Sequence, residues 1–248
     1  MPLQYPFPWK IGLLLLRDAL LLRQRNFRED NLEIVKLLHP LPNILNKDNI
    51  PNSGPALLVT NHYSHPGFPA WWIAIGITAS VPLDIHWLMT AGWTHLKGLQ
   101  TLTRWFFPRV AQVYGITATP PMPPKPEETE SRAKAVRQAL RYARQSPAPV
   151  IGLALEGRDH PGGILAPPPP GAGRFVGKLA SHCKRIVPIG VYEDKESLCV
   201  NFGPSSKLKI PPGLSADQRD RTVSKLVMRA IAQQLPPALR GEYGNSSS

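Results

Sequence analysis

The feature that most constrains this chain is the recurrence of short, almost wholly apolar runs separated by segments of helical periodicity. Ala56-Leu57-Leu58-Val59-Thr60 is one such run. A run of this length without polar alternation suits a strand buried on both faces, as in a parallel sheet covered by helices. Further strand patterns fall at 84–89, 110–114, 149–155, 185–191 and 198–202, and helical patterns at 69–79, 99–107, 130–145, 172–183 and 216–235. That order predicts an α/β fold, a mostly parallel mixed sheet flanked by helices. The 248 residues suffice for one such unit with additions.

Two of the helices are well specified. Ser215-Ala216-Asp217-Gln218 reads as a capping box, followed by an apolar face of Val223, Leu226, Val227, Ala230 and Ile231 and stopped by Pro236-Pro237. In the 130–145 helix, Ala133, Val136, Leu140 and Ala143 form an apolar stripe beside a basic one of Lys134, Arg137, Arg141 and Arg144. The basic stripe is open to two readings, a solvated face or a binding surface.

Residues 1–50 read as an N-terminal helical segment, and 51–248 as the α/β domain. From Ile11 to Leu22, nine of twelve residues are Ile, Leu or Ala, interrupted by Arg17 and Asp18. Twelve helical residues cover roughly 18 Å, short of the ~30 Å hydrocarbon core of a bilayer. Lys10, Arg17 and Gln24 recur every seven residues, Trp9 stands at one end and Arg23, Arg25 and Arg28 crowd the other. That arrangement fits an interfacial membrane anchor, and equally a helix packed into the protein's own core.

The net charge is +12 with a pI near 10.0, which favours polyanionic partners. The basic residues are scattered, without an aromatic-rich sheet motif or zinc spacing, so nucleic acid is not expected as a partner. Cys183 and Cys199 form neither a metal-binding set nor a disulfide framework, and no metal or other cofactor is expected. A reducing, cytoplasmic setting fits them.

Two segments carry candidate chemistry. Asn61-His62-Tyr63-Ser64-His65-Pro66-Gly67-Phe68-Pro69 follows the first strand, at the carboxyl end where α/β sheets bind ligands. A histidine there either takes a proton from a hydroxyl or holds a Pro-bounded turn. Leu155-Glu156-Gly157-Arg158-Asp159-His160, running on to Gly162-Gly163, follows a later strand. Such a loop suits a phosphate or polar head group, or is simply solvated.

In this order the two segments resemble the glycerophospholipid acyltransferase family, of the 1-acyl-sn-glycerol-3-phosphate acyltransferase type. That family carries Asn-His-x-x-x-x-Asp, then Phe-Pro-Glu-Gly-Thr-Arg, then an apolar Val-Pro-Ile block. Asn61-His62 matches the first, Leu155-Glu156-Gly157 the core of the second and Ile186-Val187-Pro188-Ile189 the third, while Pro170 to Phe175 resembles the family's loop-to-helix segment. The resemblance spans roughly residues 54 to 235, and residues 9–22 are similar to its membrane-seating element.

The resemblance implies acyl transfer from acyl-CoA or acyl carrier protein to a hydroxyl of a lysophospholipid or glycerol phosphate lipid. His62 would be the general base. Asn61, His65, Glu156, Gly157, Arg158 and Arg174 would bind substrate, and the protein would sit peripherally on the cytoplasmic face of an anionic membrane.

The chain departs from the family at the acid. Five positions after His62 stands Gly67, which has no side chain to orient an imidazole. Asp159, Glu156 and His65 are the nearest candidates to replace it, Asp159 first among them. Arg158 occupies the family's Thr position, and Arg158 and Arg174 remain as guanidinium partners for a phosphate. These departures keep a second reading open, a non-catalytic lipid-binding relative.

Overall fold

The computed structural model describes residues 3–90, 100–122, 125–158 and 160–244. Among these residues seven strands form one sheet: β1 (Asn43–Leu45), β2 (Ala56–Thr60), β3 (His86–Thr90), β4 (Thr117–Thr119), β5 (Val150–Ala154), β6 (Ile186–Asp194) and β7 (Ser197–Phe202). Their order is β1-β7-β6-β2-β5-β3-β4. All neighbouring pairs are parallel except β6 with β7, a tight antiparallel hairpin. The mostly parallel α/β fold expected from the apolar runs is therefore present.

Seven helices accompany the sheet among the described residues: α1 (Trp9–Leu21), α2 (Phe27–Val35), α3 (Trp71–Ser80), α4 (Gln100–Tyr114), α5 (Thr129–Gln145), α6 (Ala172–Cys183) and α7 (Ala216–Ala232). The capping box forms as its sequence predicts, with Ser215 and Gln218 bonding each other's main chain. On α7 the buried face is Val223, Val227, Met228, Ile231 and Ala232, with Leu226 exposed instead. The basic residues Lys134, Arg137, Arg141 and Arg144 of α5 are exposed.

β2 is central, and all five of its residues are buried. Its neighbour β5 carries Gly152, opposite Trp87 of β3. A Cβ on Gly152 would stand 2.7 Å from the indole, so the glycine makes room for the ring. The indole Nε1–H donates to Thr78 Oγ1 on α3 at 2.9 Å, which pins helix to sheet.

Two expectations are corrected. The pattern at 110–114 predicts a strand after a helix ending at 107, but α4 runs unbroken through Pro108 to Tyr114. Thr103, Phe107, Ala111 and Tyr114 recur at helical spacing with at least partial burial, and that packing outweighs the one main-chain donor a proline lacks. The strand that follows is the three-residue β4. Second, the sheet begins inside residues 1–50, read as a helical segment, because β1 pairs with the outer edge of β7.

α1 is not a core helix. Only Asp18 and Ala19 of its residues are buried, while Trp9, Leu13, Leu16 and Leu20 are exposed along one stripe, Trp9 at 72%. No helix among the described residues is long and apolar enough to cross a membrane. The far end of α1 is held by charge: the Arg25 guanidinium donates to Asp18 at 2.7 Å and to both Asp30 oxygens at 2.6 and 2.7 Å. Tyr114 of α4 donates to Asp30 at 2.7 Å. Hydrogen bonds from Arg17 and Arg25 lower the Asp18 carboxyl to about 2.

Candidate active site

The two motif segments leave adjacent strands of the sheet on the same edge. β2 and β5 are paired in register from Ala56 with Val150 to Thr60 with Ala154, so the residues that follow each strand emerge side by side. Asn61, 1% exposed, continues the β2–β6 ladder with its side chain: Nδ2 donates to Val191 O and Oδ1 accepts from Val191 N, both at 2.8 Å. The amide thereby holds the end of β2 against β6 through both its nitrogen and its oxygen.

Glu156 is also 1% exposed and binds main chain at both oxygens. Oε2 accepts the His62 N–H at 2.5 Å, and Oε1 accepts the Ala166 N–H at 2.8 Å. Burial raises its carboxyl above the usual range, and the two main-chain donors oppose that rise. The contact joins residues 94 apart in sequence and closes the loop from 156 to 166. Glu156 therefore grips the backbone of His62, each of its buried oxygens accepting one main-chain N–H. Gly157 adopts φ +66°, which turns the chain from the buried Glu156 to the exposed Arg158.

The loop beyond His62 is built around a turn. Phe68 N–H donates to His65 O at 3.1 Å, with Pro66 and Gly67 between them and Gly67 at φ +92°. Pro at the second position and a left-handed Gly at the third define a type II turn. At this φ the turn wants glycine at position 67.

His65 lies on that turn with both ring nitrogens engaged. Nδ1 contacts Pro66 O at 2.7 Å, and Nε2 contacts the Glu193 carboxylate of β6. Glu193 also accepts from Tyr5 at 2.6 Å and lies 3.5 Å from the Tyr63 hydroxyl. Tyr63 in turn lies over Gly163, where a Cβ would come within 2.6 Å of the ring, so the second glycine-rich segment supports the first loop from beneath.

Of the expected site residues, Asn61, His62, His65, Glu156 and Gly157 thus belong to one cluster at the carboxyl ends of β2, β5 and β6. Arg158 is exposed just beyond it. Arg174 is exposed in the first turn of α6, its main-chain N–H given to Asp220 of α7 at 2.8 Å. Asp159 lies outside the described residues. Glu193 and Tyr5 were not singled out from the sequence. Extending the apolar run of β6 by two residues along its alternation would have brought Glu193 to the same sheet edge, whereas nothing in the sequence marks Tyr5.

Fold and cluster together define an α/β domain with a histidine loop clamped at the end of its central strand. No family model matches the chain, and no curated protein matches it. Among solved structures the chain is similar to the 1-acyl-sn-glycerophosphate (LPA) acyltransferase PlsC from Thermotoga maritima. The identity is 12%, the TM-score 0.48, and the match covers 90% of this chain and 88% of that one. A likeness at that level concerns the course of the chain and does not bear on the site residues.

Proposed function

We propose that the protein transfers an acyl group from a thioester, acyl-CoA or acyl carrier protein, to a hydroxyl of a lysophospholipid or glycerol phosphate lipid. The observation that carries this reading is the bond from His62 N–H to Glu156 Oε2 at 2.5 Å. It joins the Asn-His block to the Glu-Gly block, the two segments on which the resemblance to glycerophospholipid acyltransferases rests.

In this reading His62 accepts the proton of the acceptor hydroxyl as its oxygen attacks the thioester carbon. The tetrahedral adduct collapses, the C–S bond breaks, and the imidazolium returns the proton to the leaving thiolate. The products are an ester and a free thiol. Glu156 acts through the backbone, fixing where the imidazole starts. Arg158 and Arg174 are exposed guanidinium groups suited to bidentate binding of the acceptor phosphate, and Asp159 stays the first candidate to orient the imidazole.

The exposed stripe of α1 supports a seat on the cytoplasmic face of an anionic membrane. Trp9, Leu13, Leu16 and Leu20 face outward with Phe7, and Leu102 and Trp105 of the adjoining α4 are exposed as well. Lys10 and Arg17, the latter also bonded to Asp18, are exposed on the same helix, which supports attraction to anionic head groups.

A second reading, a non-catalytic lipid-binding relative, is favoured by one observation: the left-handed Gly67 leaves no carboxylate at the family's acid position. Purified protein given labelled acyl-CoA or acyl carrier protein with a panel of lysophospholipids separates the two. Transfer that disappears in His62→Ala supports the enzyme; binding of lysophospholipid without transfer from any donor supports the relative.

A further inference from the structure

The segment before α1 crosses the loop that carries His62. The Tyr5 ring packs edge-on against Phe68, centroids 5.1 Å apart, and lies tilted against Trp72 at 5.5 Å. Its hydroxyl donates to Glu193 Oε1 at 2.6 Å. The other carboxylate oxygen of Glu193 meets His65 Nε2, three residues beyond His62.

Pro66 O can only accept, so Nδ1 of His65 donates to it, and Nε2 faces the Glu193 carboxylate. A general base needs one nitrogen free to face substrate. Both nitrogens of His65 are spent on the protein, so His65 is a cross-link between the loop and β6 and not a second base.

The loop thus has two side-chain anchors. Glu156 holds its entry at His62 N, and Glu193 holds its middle at His65, with Tyr5 on the remaining oxygen. Resting on the reading of His62 as the base, we propose that Glu193 and Tyr5 are positioning residues for it. The N-terminal arm straps the loop to β6, and a carboxylate from a neighbouring strand steadies the loop in place of one from the loop itself.

Because Tyr5 acts through Glu193, the two form a chain whose effects do not add. A displacement of about 1 Å at a reacting group costs on the order of 10²-fold in rate. Glu193→Gln is therefore expected to lower kcat by roughly 100-fold and Tyr5→Phe by roughly 10-fold, with KM within about twofold of wild type. The double variant should be no slower than Glu193→Gln alone.

The test combines this double-mutant cycle with amide hydrogen exchange of residues 62–68, read by mass spectrometry on the full-length protein. Tyr5→Phe keeps the ring packing and so keeps the fold available if Glu193→Gln does not. Faster exchange in the loop with unchanged exchange in β2, together with non-additive losses in kcat, supports the strap. Unchanged loop exchange in Tyr5→Phe, or losses that simply add, overturns it. A wild-type protein with no turnover would instead remove the acyltransferase reading and the catalytic role with it, while loop exchange would still decide whether the arm orders the loop.

Discussion

Placing a carboxylate at position 67 should not improve this protein. Gly67 sits at φ +92° as the third residue of the His65–Phe68 turn, and a Cβ added there would meet nothing within 4 Å. The cost of a side chain is therefore conformational alone. Forcing an L-residue into the left-handed region costs roughly 1–2 kcal/mol, and loss of glycine's freedom in the unfolded chain returns about 0.4–1 kcal/mol. The net is a loss of about 1 kcal/mol. For a chain of this size that lowers Tm by about 2–4 °C, a shift calorimetry resolves. Gly67→Ala carries the same strain without a carboxylate and serves as the control. Both variants should melt lower by similar amounts, and Gly67→Asp should transfer acyl groups no faster than wild type. A rise of tenfold or more in Gly67→Asp, absent in Gly67→Ala, would refute the reasoning, because it would mean that a carboxylate at 67 reaches the His62 imidazole.

The remaining predictions concern the clamp, the core histidine and the outer face of α1. Glu156→Ala leaves the His62 and Ala166 main-chain N–H groups without their acceptor, at about 1–3 kcal/mol each; urea titration should show a loss of about 2–6 kcal/mol, and a loss under 1 kcal/mol contradicts the clamp. Burial lowers His86 to about 4, where it stacks on Tyr142 at 3.9 Å and its Nε2 lies 2.8 Å from Thr117 Oγ1. Against an unfolded value near 6.5 the unfolded chain binds the extra proton between pH 4 and 6.5, so stability should rise by about 3 kcal/mol across that window. The rise should vanish in His86→Phe. Leu13→Glu with Leu20→Glu removes two exposed apolar groups worth about 1.5–3 kcal/mol each when fully buried, and co-sedimentation with anionic vesicles should weaken at least 30-fold while Tm stays unchanged. Undiminished binding would assign that face another partner.

Much of the scaffold was legible because its signals are local. Ala172–Cys183 follows a Pro-Gly stop and carries its own apolar stripe, and Ser215 with Gln218 announces α7. α4 was misread because Pro108 and the apolar residues after it imitate a break followed by a strand. Three-residue strands such as β1 and β4 are too short to carry a period, so the sheet's edges were invisible. At the site, Asn61, His62 and Glu156 stood out by their places at strand ends, but what they do depends on distant partners. The Glu156 carboxylate meets His62 across 94 residues, and Tyr5 meets Glu193 across 188. Spacing along the chain holds no trace of such contacts, nor of the turn geometry that reserves position 67 for glycine.

The central claim is that His62 removes the acceptor's proton. The measurement that tests it most directly is kcat for acyl transfer by His62→Gln against wild type, with Tm recorded on the same preparations. A general base contributes on the order of 10²–10⁴-fold, so the account expects kcat to fall by at least 100-fold at matched Tm. Turnover within a few-fold of wild type at matched Tm would contradict it.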